Sequence, residues 1–334
     1  MKPNTWVGDA RSWQGAALWA CALLAAVSAP ARAQSNGAGT GGATFLKLEQ
    51  GSARAMALGQ AYVALAEGTD ALTWNPAGLA LTQQKELSYA YMMHAQGTNA
   101  PVYLGYAHPM GRTVWGANAA YIGVSGFDVR DANGIPQVGA NVYVADGFAS
   151  FGLARSFFYE TLFLGAAARA VHEDLAGSTH DTLVGDVGLL LRPSGILTLG
   201  AALQNFGANT ANVAATARGG AALRLGDFVN LSCEISRSAD SGVHAGVGGE
   251  FQIPEQYLDF GQISFRVGYY NANNMGQSLS HSLQGLGLSR SAGLSFGMGL
   301  FTSRAFGYGL AVDYAFVPYG ALGTAEQFEV KLRF

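Results

Sequence analysis

The sequence has little charge and little cysteine. Charged residues make up 12% of its 334 positions, about half of the ~25% that is usual for soluble domains. The formal net charge is −3, and without a basic excess we expect no nucleic-acid partner. Of the two cysteines, Cys21 lies in a segment that we expect to be cleaved. The remaining Cys233 cannot form an internal disulfide by itself.

Long hydrophobic runs are absent after residue 33. Before it, Lys2 and Arg11 precede an apolar stretch over residues 15–27, and Ala31-Arg32-Ala33 matches an A-x-A cleavage site. Residues 1–33 are therefore predicted to be a secretory signal peptide. Beyond them no apolar run approaches the ~18 residues of a transmembrane helix.

Apolar residues and glycine are nevertheless abundant. Hydrophobic residues make up 49% of the chain, and its 46 glycines are about twice the usual ~7%. An exported chain of this kind can expose apolar surface to lipid only as a closed barrel, because unpaired backbone groups are costly in a bilayer. The composition therefore predicts an all-β protein, a transmembrane antiparallel β-barrel of the outer membrane, with lipid as one of its partners.

Alternation of apolar and polar residues supports this fold. Between residues 229 and 235, Val229, Leu231, Cys233 and Ile235 share one strand face, and Glu234 lies on the other. A basic side chain on the lipid face at mid-bilayer costs about 2–4 kcal/mol, so charges within strands should point into the lumen. The side chains predicted to point inward are Arg169, Asp186, Arg218, Arg224, Glu234, Glu250, Arg266, Asp313, Glu329 and Lys331. Small residues beside them predict either a lumen that holds something bulky or a close approach of strands.

The alternating segments predict fourteen strands in residues 85–334, with twelve or sixteen as alternatives. An even number suits a bacterial single-chain barrel. The predicted strands are 85–94, 100–108, 113–125, 141–155, 161–171, 181–192, 196–206, 216–225, 228–236, 243–251, 263–270, 286–300, 306–316 and 326–334. No proline interrupts a predicted strand, so the sequence contains no sign of an inward kink.

Residues 34–84 do not alternate and are predicted to form a lead and a plug. The apolar stretch 44–80 cannot lie bare in lipid without paired backbone groups, so it should fill the lumen or cap one mouth. Asp70 is predicted to cap a short helix over 71–74. Asn75-Pro76 should begin a turn or a new helical start, and Gly78 should loosen its exit.

The plug segment resembles a known signature. F-L-K-L at 45–48, the stretch 51–67 with Arg54 and Gly59, and D-A-L-T-W-N-P-A-G-L-A at 70–80 resemble the PorV/PorQ family, a branch of the FadL superfamily. The resemblance implies a fourteen-stranded barrel whose luminal hatch contains Arg54, Gly59, Asp70, Trp74, Asn75, Pro76 and Gly78. Gln60 departs from the family pattern, in which a second glycine is common. The motif residues either pin the plug by packing or gate a ligand path.

The chain ends in an alternating strand. Phe328, Val330, Leu332 and Phe334 should face lipid, and the terminal aromatic suits an interfacial girdle. By resemblance to outer-membrane proteins, this row is predicted to be the signal read by the barrel-assembly machinery.

No catalytic constellation is recognisable, and we expect neither an enzyme nor a cofactor. The six histidines include no pair at helical i, i+4 spacing. His172, Asp174 and His180 form the one candidate metal cluster, at a predicted hairpin tip, and a solvated loop is the simpler interpretation.

Two functions follow as hypotheses. The resemblance implies a role in type IX protein secretion or surface attachment, with secreted cargo or secretion components as partners. The alternative is FadL-like passage of a hydrophobic small molecule past the plug, which the apolar 44–80 segment favours. A purely structural barrel is the third interpretation.

Overall fold

The structure is a computed structural model. It describes residues 51–94, 102–127, 129–131, 133–137, 142–207, 213–239, 243–270, 293–305, 307–318 and 324–334. The predicted signal peptide, and residues 34–50 of the predicted lead and plug, lie outside the described residues.

Fourteen antiparallel strands form a closed barrel. Each strand pairs with its neighbours in the chain, and β1 pairs with β14 from Glu86↔Arg333 to His94↔Ala325. The strands are β1 (Glu86–His94), β2 (Val102–Met110), β3 (Thr113–Val124), β4 (Val144–Phe157), β5 (Leu162–Leu175), β6 (Ser178–Leu191), β7 (Leu197–Phe206), β8 (Thr216–Leu225), β9 (Val229–Ser238), β10 (Val243–Ile253), β11 (Gln262–Tyr270), β12 (Leu294–Ala305), β13 (Tyr308–Pro318) and β14 (Thr324–Arg333). The predicted fold and strand number are confirmed.

The hairpin of β5 and β6 differs from the prediction. Residues 172–180 were expected to form a loop, but β5 and β6 continue to a two-residue turn at Ala176-Gly177. Both turn residues have positive φ, 56° and 92°, which suits a tight hairpin. The polar residues that suggested a loop are cross-strand pairs instead, and His172 lies opposite Asp181.

The inward and outward faces follow the alternation. Nine of the ten charges predicted to face inward are buried, and Arg224 is solvent-exposed. Arg224 nevertheless lines a cavity within the lumen, at the end of its strand. Phe328, Val330 and Phe334 are exposed on the outer surface, as predicted, whereas Glu329 and Lys331 are buried.

The two ends of the barrel differ. At one end, which we call the short-turn end, the connections include 111–112 and 158–161, and both chain ends of the barrel meet there. At the opposite, long-loop end the connections include 125–143 and 271–293. In bacterial outer-membrane barrels the short turns face the periplasm. No helix in the described part of the chain is long and apolar enough to span a membrane.

Residues 51–81, which we call the plug, fill the lumen. They contain α1 (Ala53–Ala57), α2 (Ala71–Trp74) and 3₁₀ segments at Gly68–Asp70 and Pro76–Leu81; a further 3₁₀ segment, Glu255–Tyr257, lies between β10 and β11. Ser52 caps α1 by accepting a hydrogen bond from the N–H of Ala55. Asn75 is extended and its side chain accepts from the N–H of Ala77, with Pro76 at the first 3₁₀ position. The predicted start at Asn75-Pro76 is thus confirmed.

The predicted cap at Asp70 is wrong. Its side chain makes no capping hydrogen bond to α2. The carboxylate instead accepts hydrogen bonds from Ser52 at 2.5 Å and from Lys331 at 2.6 Å. A buried carboxylate is stabilised more by an ammonium group than by the weak field of a four-residue helix.

Candidate functional site

Glycines on the inner face of the barrel let the plug approach the wall. A Cβ atom added at Gly248 would lie 2.6 Å from the carbonyl oxygen of Leu58, and one at Gly200 would lie 2.5 Å from that of Val63. A methyl group cannot occupy either position without displacing the plug backbone. The inner glycines that would meet plug atoms in this way are Gly105, Gly116, Gly152, Gly165, Gly188, Gly200, Gly220, Gly246, Gly248, Gly268 and Gly297. The expectation of a bulky luminal occupant is therefore confirmed.

Side chains of the barrel satisfy backbone groups of the plug. Glu234 accepts hydrogen bonds from the N–H groups of Tyr62 at 2.9 Å and Val63 at 2.8 Å. Ser295 accepts from the N–H of Gly59 and donates to the carbonyl of Ala57, both at 3.0 Å. An irregular segment can stay inside a barrel only if such partners exist, because buried backbone groups otherwise lose their hydrogen bonds to water.

Arg54 joins the plug to the strands of the barrel. Its guanidinium lies 2.7 Å from Glu67 in the plug and 2.7 Å from Glu250 in β10. Glu250 also accepts from Arg266 at 2.7 Å, and Arg266 contacts Asp313 at 2.5 Å. The chain of alternating charges crosses three strands and ends in the plug, so Arg54 of the predicted motif is an anchoring residue.

A second cluster surrounds Asp70. Its side chain and that of Lys331 are 2% and 6% exposed, and Lys331 also lies 3.1 Å from Glu329. Glu329 in turn accepts from the N–H of Ala53 at 3.1 Å. Burial would raise the pKa of Asp70, but the ammonium of Lys331 and the hydroxyl of Ser52 hold it below its ordinary value. Asp70 is therefore ionised at neutral pH and binds the last strand to the plug.

The remaining motif residues pin the plug. The Trp74 ring packs edge-on against Tyr62 with centroids 5.9 Å apart, and the guanidinium of Arg218 lies 4.7 Å from its centre. Asn75 donates to the carbonyls of Val63 at 2.9 Å and Leu189 at 3.1 Å. At Gly78 a Cβ atom would overlap the carbonyl of Ala66, so glycine is required there by close packing within the plug. The prediction that Gly78 loosens the end of the helical segment does not account for this contact. These contacts favour the packing interpretation of the motif.

Consecutive positive φ angles mark the turn after α1. Gly59 has φ 62° and Gln60 has φ 61°. An L-residue in this left-handed region costs about 1–2 kcal/mol, which glycine avoids. Gln60 therefore holds a strained backbone conformation that a glycine at this position would adopt without the cost.

An apolar cluster lines the lumen toward the long-loop end. Its buried members are Ala90, Tyr103, Ala120, Phe148, Val171, Val184 and Val213. A cavity of about 690 Å³ adjoins it, and Ala120, Phe148 and Val171 belong to both. The cavity is an open depression in the wall of β3 to β6, since half of its lining residues, such as Leu183 and His172, lie on the outer face.

The barrel wall is irregular beside this cluster. The register between β6 and β7 shifts where Asp186 faces both Gln204 and Asn205. Asn205 has φ 57°, and its N–H donates to Asp186 at 2.6 Å. Among the described residues, β7 does not pair with β6 beyond Gly185, although β6 continues to Ser178. No proline marks this bulge in the sequence, so it was not predicted; an asparagine in the left-handed region produces it.

A polar cavity lies on the other side of the plug. This vestibule, at the short-turn end, has a volume of about 510 Å³ and is lined by plug residues such as Arg54 and Glu67 and by strand ends such as Arg224 and Arg333. The plug therefore separates the long-loop part of the lumen, which holds the apolar cluster, from the charged vestibule at the short-turn end.

The structure separates the candidate metal residues. His172 Nδ1 lies 2.7 Å from Asp181 Oδ1, whereas Asp174 accepts from the N–H of Gly177. The described residues contain no group of three or more His, Cys, Asp or Glu side chains that could hold a metal ion.

The last residue closes the barrel. Phe334 and Lys85 exchange backbone hydrogen bonds of 2.9 and 3.1 Å. The ring of Phe334 packs edge-on against Tyr308. A terminal strand paired on both sides has no free edge, which explains why alternation continues to the final residue. Recognition of the row from Phe328 to Phe334 by the assembly machinery stays a prediction.

Comparison with known proteins shows similarity at the level of fold. No family model and no curated protein matches the sequence. The toluene transporter TbuX of Ralstonia pickettii has a TM-score of 0.58 at 14% identity, over 86% of this chain and 100% of that one. The toluene transporter TodX of Pseudomonas putida has 0.55 at 13%, over 84% and 96%. A FadL homologue of Pseudomonas aeruginosa has 0.52 at 11%, over 85% and 98%. The chain therefore shares the closed, fourteen-stranded fold of FadL-type outer-membrane barrels.

Proposed function

We propose that the protein passes hydrophobic small molecules across the outer membrane. The observation that carries the proposal is the apolar cluster around Phe148 and Val171, which faces the lumen on the opposite side of the plug from the charged vestibule. Apolar side chains that face a lumen are not needed for insertion into lipid, and they suit an apolar ligand.

Two further observations agree with an apolar substrate. Proteins of the same fold include transporters of toluene, which supports an apolar substrate class for this chain. The bulge at Asn205 lies near Val184 of the cluster, so the wall is irregular beside the place where an apolar molecule would lie.

The plug blocks a straight path, so passage requires it to move. Residues of the plug such as Leu58, Leu72 and Trp74 have no exposed surface. Its anchors toward β9–β14 include two ion pairs, Arg54 with Glu250 and Asp70 with Lys331, and a hydrogen bond from the N–H of Ala53 to Glu329. Toward β3–β6 the plug rests mainly on apolar contacts such as Ala77 with Phe163 and Leu190. We infer that the plug separates first from β3–β6, because opening the buried ion pairs toward β9–β14 would be costly.

Uptake in cells tests this function. A strain that lacks the protein, complemented with wild type or V171D, is supplied with radiolabelled toluene, and accumulation is measured before metabolism begins. We expect wild type to restore uptake and V171D to lose it, because a carboxylate repels an apolar ligand from the cluster. Q252D, which changes a polar residue of the vestibule, is the control and should retain uptake. Equal uptake with and without the protein would refute the proposal for this ligand class.

A role in type IX secretion remains a second candidate, and the resemblance of residues 45–80 to the PorV/PorQ signature favours it. If it holds, loss of the protein should retain secreted cargo in the periplasm, and cargo or translocon proteins should co-purify with it. Normal secretion in the deletion strain, or a source genome without type IX components, would refute this role and leave small-molecule passage untouched.

A further inference from the structure

Two buried carboxyl groups share one cation where the last strand meets the plug. Lys331 Nζ lies 2.6 Å from Asp70 Oδ2 and 3.1 Å from Glu329 Oε1. All three side chains are buried, and that of Glu329 is 1% exposed. If both carboxyl groups were ionised, the cluster would carry one net negative charge away from water, and such a charge is expensive to bury. The arrangement therefore requires either a further cation or a proton.

Within the described part of the chain, the charged groups around this cluster provide no further cation. Asp313 of β13 lies directly opposite Glu329 and adds negative charge. The surrounding ion pairs are Arg266 with Asp313 and Glu250, Arg54 with Glu250 and Glu67, and Arg333 with Glu86. In these pairs three cations already serve four carboxylates, and the hydroxyl of Tyr62, 3.4 Å from Asp70, is neutral. The described residues also form no group that could hold a metal ion, so a proton is the remaining means of balance.

One oxygen of Glu329 lacks a hydrogen bond that a proton would supply. Its Oε2 accepts from the N–H of Ala53 at 3.1 Å, whereas its Oε1 is buried and forms no hydrogen bond with any described residue. The side chain lies within hydrogen-bond reach of the carboxylate of Asp70. Two ionised carboxylates cannot bond to each other because both only accept, but a protonated carboxyl group can donate to an ionised one. A proton on Glu329 would therefore give this pair a hydrogen bond and remove the excess negative charge.

The vestibule provides a route by which this proton can exchange with water. Lys331 and Asp313, the neighbours of Glu329 on β14 and β13, both line that cavity of about 510 Å³. The vestibule lies at the short-turn end, which faces the periplasm in outer-membrane barrels. Glu329 is itself buried, so it exchanges protons with periplasmic water only through these neighbours.

We propose that Glu329 is a proton-binding site that sets how firmly the plug is docked on β14. With the proton bound, Asp70 and Lys331 form a balanced ion pair, and Glu329 donates to Asp70. Without it, two carboxylates share Lys331 and repel each other and Asp313, so the plug is held less firmly. The docking is thus firmest where Glu329 is protonated and Asp70 is ionised, and it weakens as the pH rises. The site concerns plug docking and does not depend on which molecule passes the barrel.

Infrared spectroscopy of the purified full-length protein, in detergent and deuterated water, detects the proton directly. We expect wild type at neutral pH to show a carboxylic-acid C=O band that disappears at alkaline pH. E329Q should lack this band. D70N should lack it too, because Glu329 then becomes the only carboxylate bound to Lys331 and ionises.

Glu234 provides a matched control for the effect on stability. It also accepts N–H groups of the plug, but it has its own cation, Arg218, at 2.7 Å. E234Q leaves that cation without its carboxylate, so the temperature at which the folded barrel is lost in detergent gels should fall at both pH 6 and pH 9. E329Q should match wild type at pH 6, because an amide is as neutral as the protonated acid, and should be more stable than wild type at pH 9.

Two results would overturn the proposal. The first is a wild-type spectrum without an acid band at neutral pH, or a band that E329Q retains. The second is a loss of stability in E329Q at pH 6 as large as that in E234Q, which would show that Glu329 is ionised. If E329Q does not fold, D70N decides, and retention of the band in D70N overturns the assignment. Neither result bears on toluene uptake, which is measured separately on wild type.

Discussion

Gly248 and Gly249 are neighbours in β10, but only Gly248 faces the plug. A Cβ at Gly248 would lie 2.6 Å from the carbonyl oxygen of Leu58, whereas one at Gly249 would have no neighbour closer than 3.7 Å. An added methyl group would therefore meet the plug backbone at Gly248 but no close neighbour at Gly249, because the two residues lie on opposite faces of one strand.

The pair predicts a difference in plug docking. G248A should displace the plug and expose it to protease, and should lower the temperature at which the folded barrel is lost in detergent gels, since overpacking costs about 1–3 kcal/mol. G249A should match wild type in both measurements. Equal protease sensitivity of the two variants would show that the inner glycines do not set the position of the plug.

Lys331 is the second residue with a large expected effect. It is the cation between the buried carboxylates of Asp70 and Glu329. K331M should destabilise the protein by about 3–5 kcal/mol, because removal of one partner leaves buried charge uncompensated. Urea unfolding in detergent micelles, followed by tryptophan fluorescence, measures the change.

Two further variants test whether loss of charge compensation explains the destabilisation by K331M. D70N/K331M should be more stable than K331M, because one of the two carboxylates is then neutral. R304Q changes an exposed side chain and should stay within about 0.5 kcal/mol of wild type. If the double variant is no more stable than K331M, charge compensation is not the reason for the loss.

At the scale of single elements, the bulge between β6 and β7 is one of two register irregularities among the described strands, the other lying between β12 and β13 at Thr302–Ala305. Arg169 braces it, with its guanidinium 3.1 Å from Asn205 Oδ1 and 2.9 Å from Asp186. Arg169 also donates to the carbonyl of Leu72 at 2.9 Å. One arginine thus connects the irregular wall to the plug, so movement of the wall and movement of the plug are linked through it.

Deletion of Asn205 tests whether the bulge matters for passage. Removal of the extra residue should let β7 continue in register with β6, and we expect toluene uptake to fall while the barrel still folds. N205G is the matched control, because it loses the side chain but keeps the left-handed backbone, and it should retain most uptake. Full uptake by the deletion variant would exclude the bulge from the path.

The plug shows how far sequence could predict an element. The break in alternation predicted the presence of the plug, and Asn75-Pro76 predicted the start of its second half. Both signals are local in the sequence. The role of Asp70 was wrongly assigned, since a capping preference is weaker than a lysine that approaches from the last strand. Arg169 and Glu234 were expected to point inward, but their hydrogen bonds to the plug backbone were not foreseen.

At the scale of the whole molecule, every described strand is paired on both sides and the chain ends close the sheet. A closed barrel with an apolar outer surface keeps its structure in detergent until it is heated. We expect unboiled samples to migrate differently from boiled ones in detergent gels. A sharp cooperative melt in plain buffer without detergent would instead indicate a soluble protein and refute the membrane assignment.

The sequence alone determined the barrel class and the faces of most of its side chains, and it favoured fourteen strands over twelve or sixteen. The faces repeat every two residues, so a single strand is enough to reveal them. The strand number came from counting the alternating segments, and the structure decided it. Only the tertiary structure decided how the plug is seated, which cations are paired, and where the wall is irregular. Those properties depend on residues far apart in the chain, such as Lys331 and Asp70, 261 positions apart. No local pattern encodes their meeting, because it follows from closure of the whole sheet around the plug.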